Sequence, residues 1–325
     1  MSGLGRPLRL GTRASALATS QSEWVADRLR ALGHQVDLVL VQTYGDRSSA
    51  PLAQIGGTGV FVSALREALQ DGEIDFAVHS LKDLPVGEEV GLVLAAVPER
   101  EDPRDVLISR DGTNLADLPA GAVIGTGSPR RAVQLAAAAP QVRITGIRGN
   151  VGSRIDKVAT GEVDAVVLAA AGLRRLGRFG EASQVLDTSV MLPAPGQGAL
   201  AVECRSDDRA MTSILQALDH PQTRAAVAAE RALLGGLEAG CSAPVGALVT
   251  YDAGDLVLDA VAGAAFDRPE LAMAGANAAG GILRHQLRGS SAIELGHEMA
   301  HYFLSRLVAG DVIVPDSPRS TTPGA

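Results

Sequence analysis

Cys241 stands in Leu234-Gly235-Gly236-Leu237-Glu238-Ala239-Gly240-Cys241-Ser242-Ala243-Pro244-Val245-Gly246, a stretch whose glycines permit backbone angles closed to other residues. A thiol on such a turn is presented outward, which suits reaction or covalent attachment. The competing reading is a small buried apolar residue, the usual state of an unpaired cysteine. Cys204, the other cysteine, falls inside the apolar run Leu200–Cys204 and reads as buried and inert. Lys82 and Asp83 form a second candidate centre. They follow the apolar strand pattern Ile74–Val78, and the carboxyl ends of strands are where α/β sheets hold ligands. On spacing alone a solvated ion pair is the alternative.

A strand, a turn bearing arginine and a capped helix recur along the chain. Leu8-Arg9-Leu10 leads through Gly11-Thr12-Arg13-Ala14-Ser15 into a helical pattern from Ala16 to Leu32, stopped by Gly33. Ala122–Thr126 leads into Gly127-Ser128-Pro129-Arg130-Arg131, and Val142–Ile147 into Arg148-Gly149-Asn150 and a helix carrying Arg154. Ser15, Ser128 and Asn150 read as N-caps and Pro129 as the first helical residue. Cations in a first turn oppose the helix dipole unless an anion compensates, so Arg130 and Arg131 read as ligand groups. Val163–Ala170 brings Arg174 and Arg175 to a further strand end. Any one of these arginines reads equally well as solvated surface. As a set they line one strand-end crevice, and guanidinium pairs best with carboxylate, so the implied ligand carries several carboxylates.

The elements needed to position these groups fit an α/β protein of 325 residues with more than one core. Prolines and charges at Pro98–Asp105, and the hinge Leu192-Pro193-Ala194-Pro195-Gly196-Gln197-Gly198-Ala199, read as crossovers between two lobes. The expected domains are 1–99 with 199–219, then 100–198, then a smaller α+β unit over 220–314 and a disordered tail over 315–325. A net charge of −8 and only 3% aromatic residues argue against nucleic-acid stacking platforms, while a local basic cleft suits small anions. The first residues lack a signal-peptide pattern and no apolar run is long enough to span a bilayer, so a cytoplasmic protein with free thiols is expected. His79 and His220 are too isolated for a metal site and read as hydrogen-bonded structural residues.

Gly11-Thr12-Arg13-Ala14-Ser15-Ala16-Leu17-Ala18, His79-Ser80-Leu81-Lys82-Asp83-Leu84-Pro85, Ile147-Arg148-Gly149-Asn150-Val151 and Pro195-Gly196-Gln197-Gly198-Ala199 together resemble the porphobilinogen deaminases, also called hydroxymethylbilane synthases. The likeness runs from about Leu8 to Val314. It implies two lobes similar to type II periplasmic binding proteins, with mixed sheets, and a third domain bearing the cysteine loop. It also implies a dipyrromethane cofactor held as a thioether on Cys241. To it four porphobilinogen units are added head to tail with loss of ammonia, before hydrolysis to hydroxymethylbilane in tetrapyrrole biosynthesis. By resemblance Asp83 is catalytic; Lys82, Ser128, Arg130, Arg131, Arg148 and Gln197 bind cofactor; and Arg13, Ser15, Arg154, Arg175 and Phe61 bind substrate. A monomeric transferase is implied. Tyr44–Gly59 is a polar, glycine-rich stretch of the length found in lids or disordered connections; relatives carry lysines where this chain has Gln54 and Thr58, which leaves no lysine contact from that loop, and Gly127 and Pro129 replace a commoner serine and leucine.

The chemistry needs these groups for physical reasons. Loss of ammonia from an aminomethylpyrrole leaves a delocalised cation, which a nearby carboxylate such as Asp83 stabilises more in the transition state than in the ground state. The same carboxylate can accept the proton released as the coupled ring regains aromaticity. Two rivals remain at this level: a non-catalytic solute-binding protein, which needs no reactive cysteine, and another pyrrole or amine transferase, which needs the arginines without a covalent cofactor.

Overall fold

A computed structural model of the chain describes residues 6–41, 59–239, 243–263 and 281–308. The first sheet has strand order β2-β1-β3-β10-β4, built from β1 (Leu8–Thr12), β2 (Val36–Leu40), β3 (Phe76–Ser80), β4 (Leu92–Ala96) and β10 (Leu200–Arg205). The second repeats that design as β7-β6-β8-β5-β9, from β5 (Asp105–Ser109), β6 (Val123–Gly125), β7 (Arg143–Thr145), β8 (Ala165–Ala169) and β9 (Gln184–Val185). Three neighbouring strands of each sheet run parallel, and one strand delivered by a crossover runs antiparallel among them: β10 in the first lobe, β5 in the second. The first lobe is completed by a strand that returns after the second, and both have the mixed α/β architecture that the resemblance implies.

Side-chain alternation builds the cores. In β3, Phe76 and Val78 point to one face with Leu8, Leu10 and Val202, against helix α1 (Ala16–Ala31) and α6 (Arg209–Gln216). Ala77 points to the other, toward Leu65 and Leu69 of α2 (Gly59–Gln70). Both sides of a central strand are covered, so it reads as a continuous apolar run, and each buried Leu or Phe contributes about 1.5–3 kcal/mol. The second sheet is covered on one face by Leu135 and Ala139 of the α3 (Pro129–Ala138) region and on the other by Ile155 and Val158 of α4 (Val151–Ala159). Beyond β8 comes α5 (Ala170–Arg175).

The third unit is an antiparallel meander, β11 (Val245–Asp252), β12 (Asp255–Gly263) and β13 (Ile282–Gly289), packed against α7 (Pro221–Gly236) and α8 (Ala292–Val308). It rests on the return crossover, where the Ala247 N–H donates to the Pro193 carbonyl at 2.9 Å. His220 caps α7 through Nδ1, which lies 3.2 Å from the Thr223 amide, so this histidine is structural. Cys204 is fully buried, and burial pushes its thiol pKa up.

Several boundaries differ from the sequence expectation. β2 ends at Leu40 rather than Thr43, and the crossover expected to end at Asp105 ends before it, because Asp105 is the first residue of β5. β5, β9, which is only two residues long, and β13 are strands that the sequence reading does not include. The stretch Tyr44–Gly59, with Gln54 and Thr58, lies outside the described residues apart from Gly59, as do Cys241 and the tail 315–325.

Candidate active site

The ends of β3 and β8 meet at one crevice, joined there by the helices that follow β1, β6 and β7. The two crossover strands enter against that direction, so their beginnings arrive at the same place. Leu200 of β10 pairs with Ser80 at the end of β3, and Asp105 of β5 pairs with Ala169 at the end of β8. Gln197, just ahead of β10, is thereby brought beside Lys82. Gly198 follows it with φ 89°, and a side chain there would meet the Glu101 carbonyl oxygen at 2.3 Å, so only glycine lets the two crossovers lie against each other.

Between the lobes lies a cavity of about 100 Å³, whose lining includes Gln21, Ser80, Lys82, Arg131, Arg154 and Arg175. Lys82 Nζ faces Gln197 Oε1 at 3.4 Å, and Arg175 Nη2 donates to the Gly198 carbonyl at 2.7 Å. Arg154 Nε donates to the Gly149 carbonyl at 2.8 Å. Among the described residues Lys82, Arg148, Arg154 and Arg175 make no ion pair with a carboxylate. Burial depresses Lys82 to about 8, with Arg131 and Arg130 adding to the effect while Asp83 and Asp105 oppose it. Burial likewise lowers Arg175 to about 10 and pulls Arg154 down, the latter with help from Arg131. A site that desolvates cations without pairing them directly favours a ligand that brings carboxylates with it.

The helix starts form as their sequences require. Ser15 accepts from the Ala18 amide at 3.3 Å, Ser128 from the Arg131 amide at 3.5 Å and Asn150 from the Ser153 amide at 2.9 Å. Arg13 is half-buried at the end of β1. Asp83 is exposed in the short turn Leu81–Asp83, close enough to Lys82 and Arg154 to favour their charged forms. Arg148 is exposed on the turn after β7, outside the cavity lining. Phe61 falls in the first turn of α2 with its side chain outside the described residues.

Arg130 and Arg131 answer the dipole argument differently from the sequence expectation. Their compensating anion is supplied by the protein: Asp105, fully buried, lies 2.8 Å from Arg130 Nη1 and 2.7 Å from Arg131 Nη2. Burial pushes the Asp105 carboxyl up, but the two guanidiniums overcome it and hold it well below the usual range. Arg131 also reaches the cavity lining, so the pair is shared between an internal carboxylate and the crevice. Sequence reasoning missed Asp105, Ser80 and Gln21. Gln21 Nε2 donates to Ser80 Oγ at 2.8 Å. A polar residue on the apolar face of α1 was the available signal for it.

The family described as "Porphobilinogen deaminase, dipyromethane cofactor binding domain" matches residues 8–213, and "Porphobilinogen deaminase, C-terminal domain" matches 224–304. The chain is 60% identical over 248 residues to porphobilinogen deaminase 1 of Streptomyces coelicolor, covering 75% of this chain and 78% of that one. It is 52% identical over 313 residues to porphobilinogen deaminase of Thermobifida fusca, covering 96% and 97%. Among solved structures, a periplasmic substrate-binding protein of an ABC transporter from Coxiella burnetii superposes with a TM-score of 0.40 at 18% identity, covering 69% of this chain and 96% of that one.

Proposed function

The chain belongs to the porphobilinogen deaminase family, and from that premise we propose that it joins four porphobilinogen molecules head to tail on a covalent dipyrromethane and releases hydroxymethylbilane. The observation that carries the reading is the desolvated cationic set Lys82, Arg154 and Arg175, which makes no ion pair with a carboxylate among the described residues although Asp83, Asp105 and Glu101 lie near enough to act on it. Each pyrrole of substrate and cofactor carries acetate and propionate, so the donor set fits the group. Lys82, Ser128, Arg130, Arg131, Arg148 and Gln197 would hold the cofactor, with Cys241 as its point of attachment. Arg13, Ser15, Arg154, Arg175 and Phe61 would hold the incoming substrate.

When bound, the dipyrromethane supplies the pyrrole carbon at which the chain is extended. The residues of this protein do the rest. Arginines orient the substrate's carboxylates, and bidentate pairing fixes the ring rather than merely attracting it. Asp83 would face the aminomethyl carbon, where its carboxylate would offset the positive charge that spreads over the ring as the C–N bond breaks and ammonia leaves. The same carboxylate would accept the proton lost as the coupled ring regains aromaticity. Removing water from the crevice strengthens both interactions. We further propose a monomeric, cytoplasmic transferase without nucleic-acid or membrane partners, in keeping with a net charge of −8.

Intact mass of the purified protein tests the reading together with turnover of porphobilinogen. Two linked pyrrole units above the chain mass are expected, with ammonia released as substrate is consumed. A protein of bare chain mass that binds porphobilinogen without releasing ammonia would instead be a solute-binding protein.

A further inference from the structure

Asp105 plays no part in the chemistry just described, yet Arg130 and Arg131 converge on it and Lys82 is linked to it through Gln197. Its Oδ1 accepts from Arg131 Nη2 at 2.7 Å and Nε at 3.2 Å, and from Gln197 Nε2 at 2.9 Å, while Arg130 Nη1 lies 2.8 Å from Oδ2. Gln197, itself fully buried, also donates to the Pro103 carbonyl at 2.7 Å, and its Oε1 faces Lys82 Nζ at 3.4 Å. The backbone carbonyl of Gln197 accepts from Arg100 Nε at 2.8 Å. A continuous path thus runs from a lysine of the first lobe, through an amide on the return crossover, to the first residue of β5 and the start of α3.

We infer that Asp105 and Gln197 are positioning residues for the reaction: Asp105 holds Arg130 and Arg131 in one register, and Gln197 ties Lys82 to it, so that the three cations meet ligand carboxylates as a unit. The inference rests on the proposed function. Two adjacent guanidiniums repel each other, and one shared buried carboxylate removes that repulsion while leaving the set of three cations net positive. Gln197 suits the link because its amide offers an acceptor toward the ammonium and donors toward the carboxylate. Lys82 is faced by Asp83 from its own turn and by Arg131, Arg130 and Asp105 from the second lobe, and the negative charge of Asp105 raises the affinity of Lys82 for its proton. Loss of that charge weakens the hold of Lys82 on its proton, and a purely structural role would not produce this effect.

The parent protein, Asp105→Asn, Asp105→Glu and Gln197→Met are purified as isolated and compared by intact mass, thermal midpoint and the pH dependence of kcat/KM for porphobilinogen. Asp105→Asn is expected to raise KM about tenfold, the effect of a lost charge-assisted contact, and to lower the fraction carrying cofactor. Its alkaline limb moves to lower pH by several tenths of a unit or more. Gln197→Met moves the limb the same way with both ion pairs of Asp105 intact, and Asp105→Glu, which keeps the charge, leaves it in place. A lowered thermal midpoint with an unmoved limb in Asp105→Asn and Gln197→Met overturns the positioning role. If Asp105→Asn does not fold, Gln197→Met decides, and an unmoved limb there overturns it. A parent with neither pyrrole increment nor turnover overturns the proposed function and this inference together, whereas an active, loaded parent with unshifted variants overturns only the inference.

Discussion

Arg100 and Glu230 meet in a two-point ion pair, Nη1 to Oε1 at 2.6 Å and Nη2 to Oε2 at 3.0 Å, with the glutamate fully buried. The same carboxylate accepts the Gly196 amide at 2.7 Å and the Val249 amide at 3.0 Å. One side chain of α7 therefore holds the outbound crossover, the return crossover and the first strand of the third sheet. Arg100→Leu leaves that carboxylate buried without its cation, a loss of about 3–5 kcal/mol. Calorimetry should show a markedly lower unfolding temperature; an unchanged one would mean that solvent reaches Glu230.

Asp83→Asn keeps the shape of the side chain and removes its charge. Turnover of the loaded enzyme should fall by about 10²–10⁴-fold, the range for a positioned acid–base group. Cofactor loading, read by intact mass, should largely survive. Near-normal turnover in the loaded variant would reduce Asp83 to a neighbour of Lys82.

Cys241→Ser should yield a folded protein without the pyrrole increment and without activity. Cys204→Ser should keep both, because Cys204 is enclosed in the first core, where its sulfur lies 3.5 Å from the Thr212 hydroxyl. In the native protein Cys204 should also resist thiol reagents, since burial disfavours its thiolate. Retention of the increment by Cys241→Ser would move the attachment point elsewhere.

Arg154 and Arg175 line the crevice with no carboxylate partner among the described residues, so Arg154→Leu and Arg175→Leu each remove a ligand contact without orphaning a buried anion. KM for porphobilinogen should rise about ten- to a hundredfold in each, with thermal stability little changed. Unaltered kinetics in both would return them to the role of solvated surface charges.

Glu203 lies between Arg66 and His79, 2.8 Å from Arg66 Nη2 and 3.2 Å from His79 Nε2. Burial would raise its pKa, but His79 and Arg66 together hold it at about 2, against an ordinary 4.5. A carboxylate depressed in the folded state contributes stability that is complete above its unfolded pKa and is lost as pH falls toward the folded value. Denaturant unfolding should therefore show the parent losing its advantage over Glu203→Gln between about pH 4.5 and 2. Parallel stability curves across that window would contradict the assignment.

Local chemistry in the sequence determined the helix starts at Ser15, Ser128 and Asn150, the buried setting of Cys204 and the arginines at strand ends, because capping and alternation depend on residues a few places apart. The same locality showed that Arg130 and Arg131 need an anion. It could not show which one. Asp105 lies more than twenty residues upstream and ended what read as a crossover, and it reaches the arginines only because β5 enters antiparallel to β8, with Asp105 opposite Ala169. Gln197 reaches Lys82 by the equivalent entry of β10 beside β3. Strand order and direction are settled by how whole sheets bury their faces, so the counter-ion of the site and the link between its lobes were decided by tertiary structure alone.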